Sequence, residues 1–77
     1  PSIHYAGRFA AKEAVIKSIK SSGFDKPIEF KSIIILNKSD GSPYCILDLS
    51  FNGSVKVSIS HTKTHAIAFA IAELKDK

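Results

Sequence analysis

From Arg8 to Lys17 the chain reads Arg-Phe-Ala-Ala-Lys-Glu-Ala-Val-Ile-Lys, a run rich in strong helix formers with no glycine or proline inside it. That run predicts an amphipathic helix. At about 100° per residue, Phe9, Ala11, Val15, Ile16 and Ile19 share one arc, the face expected to pack on a core. Glu13, Lys17 and Lys20 lie together beside that arc. Lys12 falls inside it, between Ile16 and Ile19, so its ammonium must reach past the apolar face to water or meet an anion. Ser2 is the expected N-cap, and Gly23 the stop after Ser21 or Ser22. Gly7 costs up to about 1 kcal/mol relative to alanine inside a helix, which points to a close approach there by another backbone or a ligand.

The remainder reads as strands and turns. After the loop Ser22 to Pro27, a first strand is expected from about Ile28 to Asn37. Its continuous Ile33-Ile34-Ile35-Leu36 run suggests burial on both faces. Asp40-Gly41 has hairpin-turn chemistry and leads to a second strand, about Pro43 to Ser50. Asn52-Gly53 is the strongest short-range hairpin signal in the chain. A third strand, Ser54 to Ser60, alternates Val55, Val57 and Ile59 with Lys56, Ser58 and Ser60. The last strand, His65 to Leu74, carries Ile67, Phe69 and Ile71 on one face and Ala66, Ala68, Ala70 and Ala72 on the other. Four small side chains in a row would let a helix or second sheet come close. The expected fold class is α+β: one long N-terminal helix packed on an antiparallel sheet of about four strands, residues 1–77 forming one domain.

A domain of 77 residues buries only about 60% of its unfolded surface, so packing on another chain or on a further segment is plausible on size alone. No apolar run approaches the roughly 20 residues that span a bilayer, and no membrane partner is expected. The single cysteine, Cys45, excludes an internal disulfide framework. In a strand it reads as a buried, inert thiol, and a reducing cytoplasm fits. The net charge of +4 favours an anionic partner without choosing among nucleotides, nucleic acid and an acidic protein. The chain opens on Pro1 and contains no methionine, so a portion of a longer protein is expected.

Several residues admit two readings. Glu13 and Lys17, four apart with the acid first, suit a helix ion pair worth about 0.3–0.5 kcal/mol. The same pair could instead supply a magnesium carboxylate and a phosphate ligand. His61 continues the parity of Val55, Val57 and Ile59, so its ring leaves the strand end on the apolar side. It is either a partly buried structural histidine or, with Ser60, Thr62 and Lys63, part of a donor group suited to phosphate. His4 reads as a surface residue. No glycine-rich phosphate loop or nucleophile elbow is present.

Taken together, Gly7-Arg8-Phe9-Ala10-Ala11-Lys12-Glu13-Ala14 with Lys17, and Val57-Ser58-Ile59-Ser60-His61-Thr62 before Ala66-Ile67-Ala68-Phe69, resemble the 4'-phosphopantetheinyl transferase superfamily. The form is closest to the small bacterial holo-acyl-carrier-protein synthases. The resemblance implies Mg²⁺-dependent transfer of 4'-phosphopantetheine from coenzyme A to a serine of an acyl carrier protein, releasing 3',5'-ADP, in cytoplasmic lipid metabolism. On it, Glu13 is the magnesium-binding carboxylate and a catalytic residue, and Lys17 a catalytic ligand of the coenzyme A phosphates. Arg8, Ser60, His61 and Thr62 would lie at the nucleotide end.

Family members are similar in forming homotrimers with active sites between subunits, which would suit an exposed alanine face. They begin with a strand whose Asp is a second metal carboxylate. No such segment occurs here, and Asp25, Asp40 and Asp48 stand in other contexts. The chain is therefore expected to be the C-terminal part of such a protein, with half of a metal site and incomplete for catalysis. No nucleic-acid partner follows from this reading. The competing reading is a basic, non-catalytic α+β module that binds RNA or an acidic protein.

Overall fold

A computed structural model describes the backbone of residues 3–75 and the side chains of residues 6–75. Helix α1 spans Ile3–Ser21 and is followed by a single 3-10 turn, Phe30–Ser32. Four strands follow: β1 Ile33–Asn37, β2 Pro43–Leu47, β3 Gly53–His61 and β4 Ala66–Leu74. The α+β order is the expected one. The strands, however, form two separate antiparallel pairs, β1–β2 and β3–β4, rather than one sheet. The expected cap at Ser2 and the surface position of His4 concern a residue and a side chain outside those described. No helix among the described residues is long and apolar enough to cross a membrane.

The helix ends where Gly23 takes a left-handed φ of 105°, a conformation that costs glycine little, and its amide donates back to the Lys20 carbonyl at 3.1 Å. One seam of α1 is fully enclosed: Gly7, Ala11, Val15 and Ile19, each four residues from the next. Ala11, Val15 and Ile19, with Ile33 and Ile35 of β1, make up the buried core. The predicted arc is therefore rotated. Ile16 is half-buried, and Phe9 sits at the rim, 46% exposed.

The alanines of β4 account for where the helix sits. In the β3–β4 register Val55 faces Ala72, Val57 faces Ala70 and Ile59 faces Ala68, so branched and small side chains alternate across one face. Ala68 and Ala70 pack against the core cluster under α1. The alanine face is thus covered by this chain's own helix, which corrects the expectation that it is exposed for a neighbouring subunit. The larger residues point the other way: Ile67, Phe69 and Ile71 are 50%, 66% and 65% exposed.

Three other expectations are overturned locally. The first strand starts at Ile33 rather than Ile28, because the 3-10 turn places Phe30 against Phe9, with ring centroids 5.1 Å apart. Its isoleucine run is not buried on both faces. Only one side meets the helix, and Ile34 is 40% exposed. Asn52-Gly53 is not the tip of a hairpin. Leu49 and Phe51 pack into the core and draw residues 48–52 away from a tight turn, while Phe51 meets Phe24 edge-on at 6.0 Å. Gly53 instead opens β3 opposite Leu74, where a Cβ would collide with the Glu73 carbonyl and the Phe51 ring. The Asp40-Gly41 turn does join β1 to β2, through a loop of residues 38–42.

Candidate functional site

The two motif regions meet because three elements end at one place. The N-terminal half of α1 supplies Gly7 and Arg8. The β1–β2 hairpin supplies Asn37, Gly41 and Pro43, and the end of β3 supplies Ile59 and His61. Together they line a cleft of about 200 Å³. Parity along β3 delivers His61 here: Val55, Val57, Ile59 and His61 share the helix-facing side.

Gly7 is what lets the ring lie against the helix. A Cβ at that position would stand 2.8 Å from His61 Cε1 and 3.2 Å from Ile59 Cγ2. The close approach expected at Gly7 is therefore made by a side chain of the same chain.

Arg8 is fixed by the hairpin. Its Nη2 donates to Asn37 Oδ1 at 3.0 Å, and Asn37 Nδ2 donates to the Gly41 carbonyl at 2.9 Å. The loop is itself braced: Asp40 Oδ1 accepts from the Ser42 hydroxyl at 2.6 Å and the Ser42 amide at 2.9 Å. Those bonds, with Lys38 nearby, hold the Asp40 carboxyl below its ordinary value. Nothing in the sequence singled out Asn37, because its contact with Arg8 spans 29 residues.

Glu13 and Lys17 lie elsewhere. At 100° per residue they fall on the side of α1 opposite the buried seam, and both are exposed. The expected ion pair between them is absent among the described residues, whose two ion pairs are Lys31–Glu29 at 3.9 Å and Lys56–Glu73 at 3.8 Å. Ser60 points to the face of β3 away from His61, opposite Ile67. Thr62 serves the β3–β4 turn: its Oγ1 accepts from the His65 amide at 3.0 Å, and its own amide donates to the His65 carbonyl at 2.8 Å. Of the sequence-predicted residues, the structure thus brings Arg8 and His61 into one cleft and leaves Glu13, Lys17, Ser60 and Thr62 outside it.

Lys12 is half-buried, and its Nζ lies 4.8 Å from the Phe30 ring centroid, a cation–π contact in place of an anion. It lines a larger apolar groove of about 480 Å³ with Arg8, Phe9, Phe30 and Ile34. No group of three or more His, Cys, Asp or Glu side chains that could hold a metal forms among the described residues. Glu13 is exposed and belongs to no such group. Cys45 is partly buried; its Sγ lies 3.5 Å from the Val55 carbonyl, and desolvation pushes its thiol up.

Residues 1–70 match the 4'-phosphopantetheinyl transferase superfamily. The chain is similar to a protein named holo-[acyl-carrier-protein] synthase from Thermodesulfovibrio yellowstonii, 45% identical over 71 residues, covering 92% of this chain and 59% of the relative. It is also similar to relatives of that name from Chlorobium chlorochromatii, at 47% over 72 residues, 88% of this chain and 60% of the relative. A third such relative, from Protochlamydia amoebophila, is 41% identical over 76 residues, covering 92% of this chain and 62% of the relative. The chain thus spans about three-fifths of the length of these curated relatives.

Proposed function

Because the chain belongs to the 4'-phosphopantetheinyl transferase superfamily, we propose that it forms the larger part of an enzyme that moves 4'-phosphopantetheine from coenzyme A to a serine of an acyl carrier protein. The observation that carries this reading is the meeting of Arg8 and His61 in one cleft. A guanidinium and an imidazole delivered by separate elements suit the phosphorylated nucleotide end of coenzyme A.

In the reaction, the serine Oγ bonds to the phosphorus that carries pantetheine. The P–O bond to 3',5'-ADP breaks, and the serine proton passes to a base. Glu13, directly or through a water, is that base. Glu13 would also hold Mg²⁺, an ion that takes one or two carboxylates together with phosphate oxygens and water. Among the described residues, Glu13 would contribute one exposed carboxylate to such a site. When bound, the ion supplies charge neutralisation across the pyrophosphate. Lys17, one turn further along α1, sets a cation against the same phosphates.

Glu13 and Lys17 project from the side of α1 away from the cleft, so one copy does not readily offer both halves to the same ligand. A site between subunits resolves this: one copy supplies Glu13 and Lys17, and its neighbour the Arg8–His61 cleft. Exposed Ile67, Phe69 and Ile71 are then the apolar surface for a homotrimer. Ser60 and Thr62 flank His61 in sequence but lie outside the cleft, so they would reach the nucleotide end only at its border, beyond the Arg8 and His61 contacts. A cytoplasmic setting suits the coenzyme A and carrier protein this reaction needs.

The test is incubation of the protein with coenzyme A, Mg²⁺ and apo acyl carrier protein, reading the carrier's mass, alongside calorimetry with 3',5'-ADP. Mass gain lost on Glu13→Gln, with binding weakened by His61→Ala, is the expected result. Metal-independent binding to RNA with a steep salt slope, and no transfer, would replace this reading with that of a basic binding module.

A further inference from the structure

We propose that Gly7 is a positioning residue, whose missing side chain reserves the space in which the His61 imidazole lies beside Arg8. The space is narrow and its walls differ in stiffness. A Cβ on residue 7 would stand 2.8 Å from His61 Cε1 and 3.4 Å from His61 Nε2, with Ile59 Cγ2 at 3.2 Å. Atoms closer than about 3.0 Å cannot remain there, so something must move. Ile59 sits within the β3–β4 ladder opposite Ala68, and Gly7 lies on the buried seam of α1. His61 is the last residue of β3, and its ring turns about two torsions. The ring is the group that moves.

The consequence separates fold from site. Alanine is the better helix former, so Gly7→Ala leaves α1 intact and favours it locally. The same methyl displaces the imidazole from the cleft wall it shares with Arg8, Asn37 and Gly41. A glycine that weakens its helix thus sets the geometry of a side chain 54 positions away. This proposal rests on the reading of the cleft as the coenzyme A nucleotide end, and its test keeps the two apart.

The experiment compares wild type, Gly7→Ala, His61→Ala and the double variant. The His61 ring Cε1–H resonance, assigned by its loss in His61→Ala, is read without ligand. The affinity for 3',5'-ADP is then measured for all four. Gly7→Ala is expected to shift the His61 resonance, to leave helical circular dichroism unchanged, and to weaken 3',5'-ADP by about ten-fold, the loss of one charge-assisted hydrogen bond. In the His61→Ala background it should produce no further loss. An unmoved ring resonance, or an equal extra loss without the imidazole, would overturn the role assigned to Gly7. If wild type itself fails to bind 3',5'-ADP, the nucleotide reading falls, and the resonance alone decides whether Gly7 places the ring.

Discussion

Arg8 reaches Asn37 across the gap between helix and hairpin, Nη2 to Oδ1 at 3.0 Å, while the other end of the same amide holds the Gly41 carbonyl. Only one orientation of the amide satisfies both partners, its oxygen toward the guanidinium and its nitrogen toward the carbonyl. Asn37→Ala should therefore weaken 3',5'-ADP about three- to ten-fold by freeing Arg8, while changing stability by less than about 0.5 kcal/mol, since the site is exposed. Asn37→Asp keeps an acceptor for Arg8 but loses the donor to Gly41 and adds a negative charge beside the phosphate site, so it should recover little of the binding. Calorimetry and urea unfolding check the pair.

Phe30 joins two contacts, the tilted ring pair with Phe9 and the Lys12 ammonium above its face. Phe30→Leu keeps apolar bulk and removes both. A loss of about 1–2 kcal/mol in urea unfolding is expected, from about 0.5–1 for the cation and a similar amount for the ring pair. No loss would mean that Lys12 is held by water alone.

Ala68 and Phe69 are neighbours on opposite faces of β4, and their substitution should have opposite signatures. Ala68→Leu forces three more heavy atoms between β4 and α1 and should destabilise by about 1–3 kcal/mol. Phe69→Ser alters an exposed ring and should change the unfolding of a single copy by no more than about 0.5 kcal/mol. If that face joins subunits, sedimentation should show Phe69→Ser abolishing self-association.

Cys45 should react slowly with a thiol reagent at mildly alkaline pH in the native state and quickly in denaturant, because burial pushes its thiol above the ordinary 9.0. The folded state then holds the proton more tightly than the unfolded chain. That contribution to stability is complete below 9.0 and declines as pH rises past it. Cys45→Ala should flatten the alkaline limb of the stability curve.

Asp40 titrates in the other direction. Its bonds to Ser42 lower its carboxyl below 3.8, so the brace they form is present above that value and lost as pH falls through the lowered one. Carbon NMR should place the Asp40 midpoint below 3.8 in wild type and move it up in Ser42→Ala.

The helix, its stop at Gly23, the alternation of β3 and the Asp40-Gly41 turn were legible because each is written in local spacing. What escaped depends on partners distant in sequence. The helix face was misjudged by weighting Phe9 as core, when its partner, Phe30, lies outside the sheet. The isoleucines of β1 looked two-sided because nothing local says that a single helix covers one face only. Asn52-Gly53 looked like a hairpin until Leu49 and Phe51 drew the connection inward. For the site, the structure sets motif residues Arg8 and His61 in one cleft and leaves Glu13, Lys17, Ser60 and Thr62 outside it. Asn37 carried no signal, being an ordinary strand-end residue until the hairpin sets it against Arg8.

Because no ladder joins β2 to β3, the molecule is two hairpins held to one helix, with the cleft where all three meet. Amide exchange should therefore report two units that open independently when no ligand is bound. A ligand gripping Arg8 and His61 spans the helix and the second hairpin, and through Asn37 it reaches the first. Its binding would be felt as slowed exchange in both hairpins at once, the ligand acting as the seam that the backbone leaves unsewn.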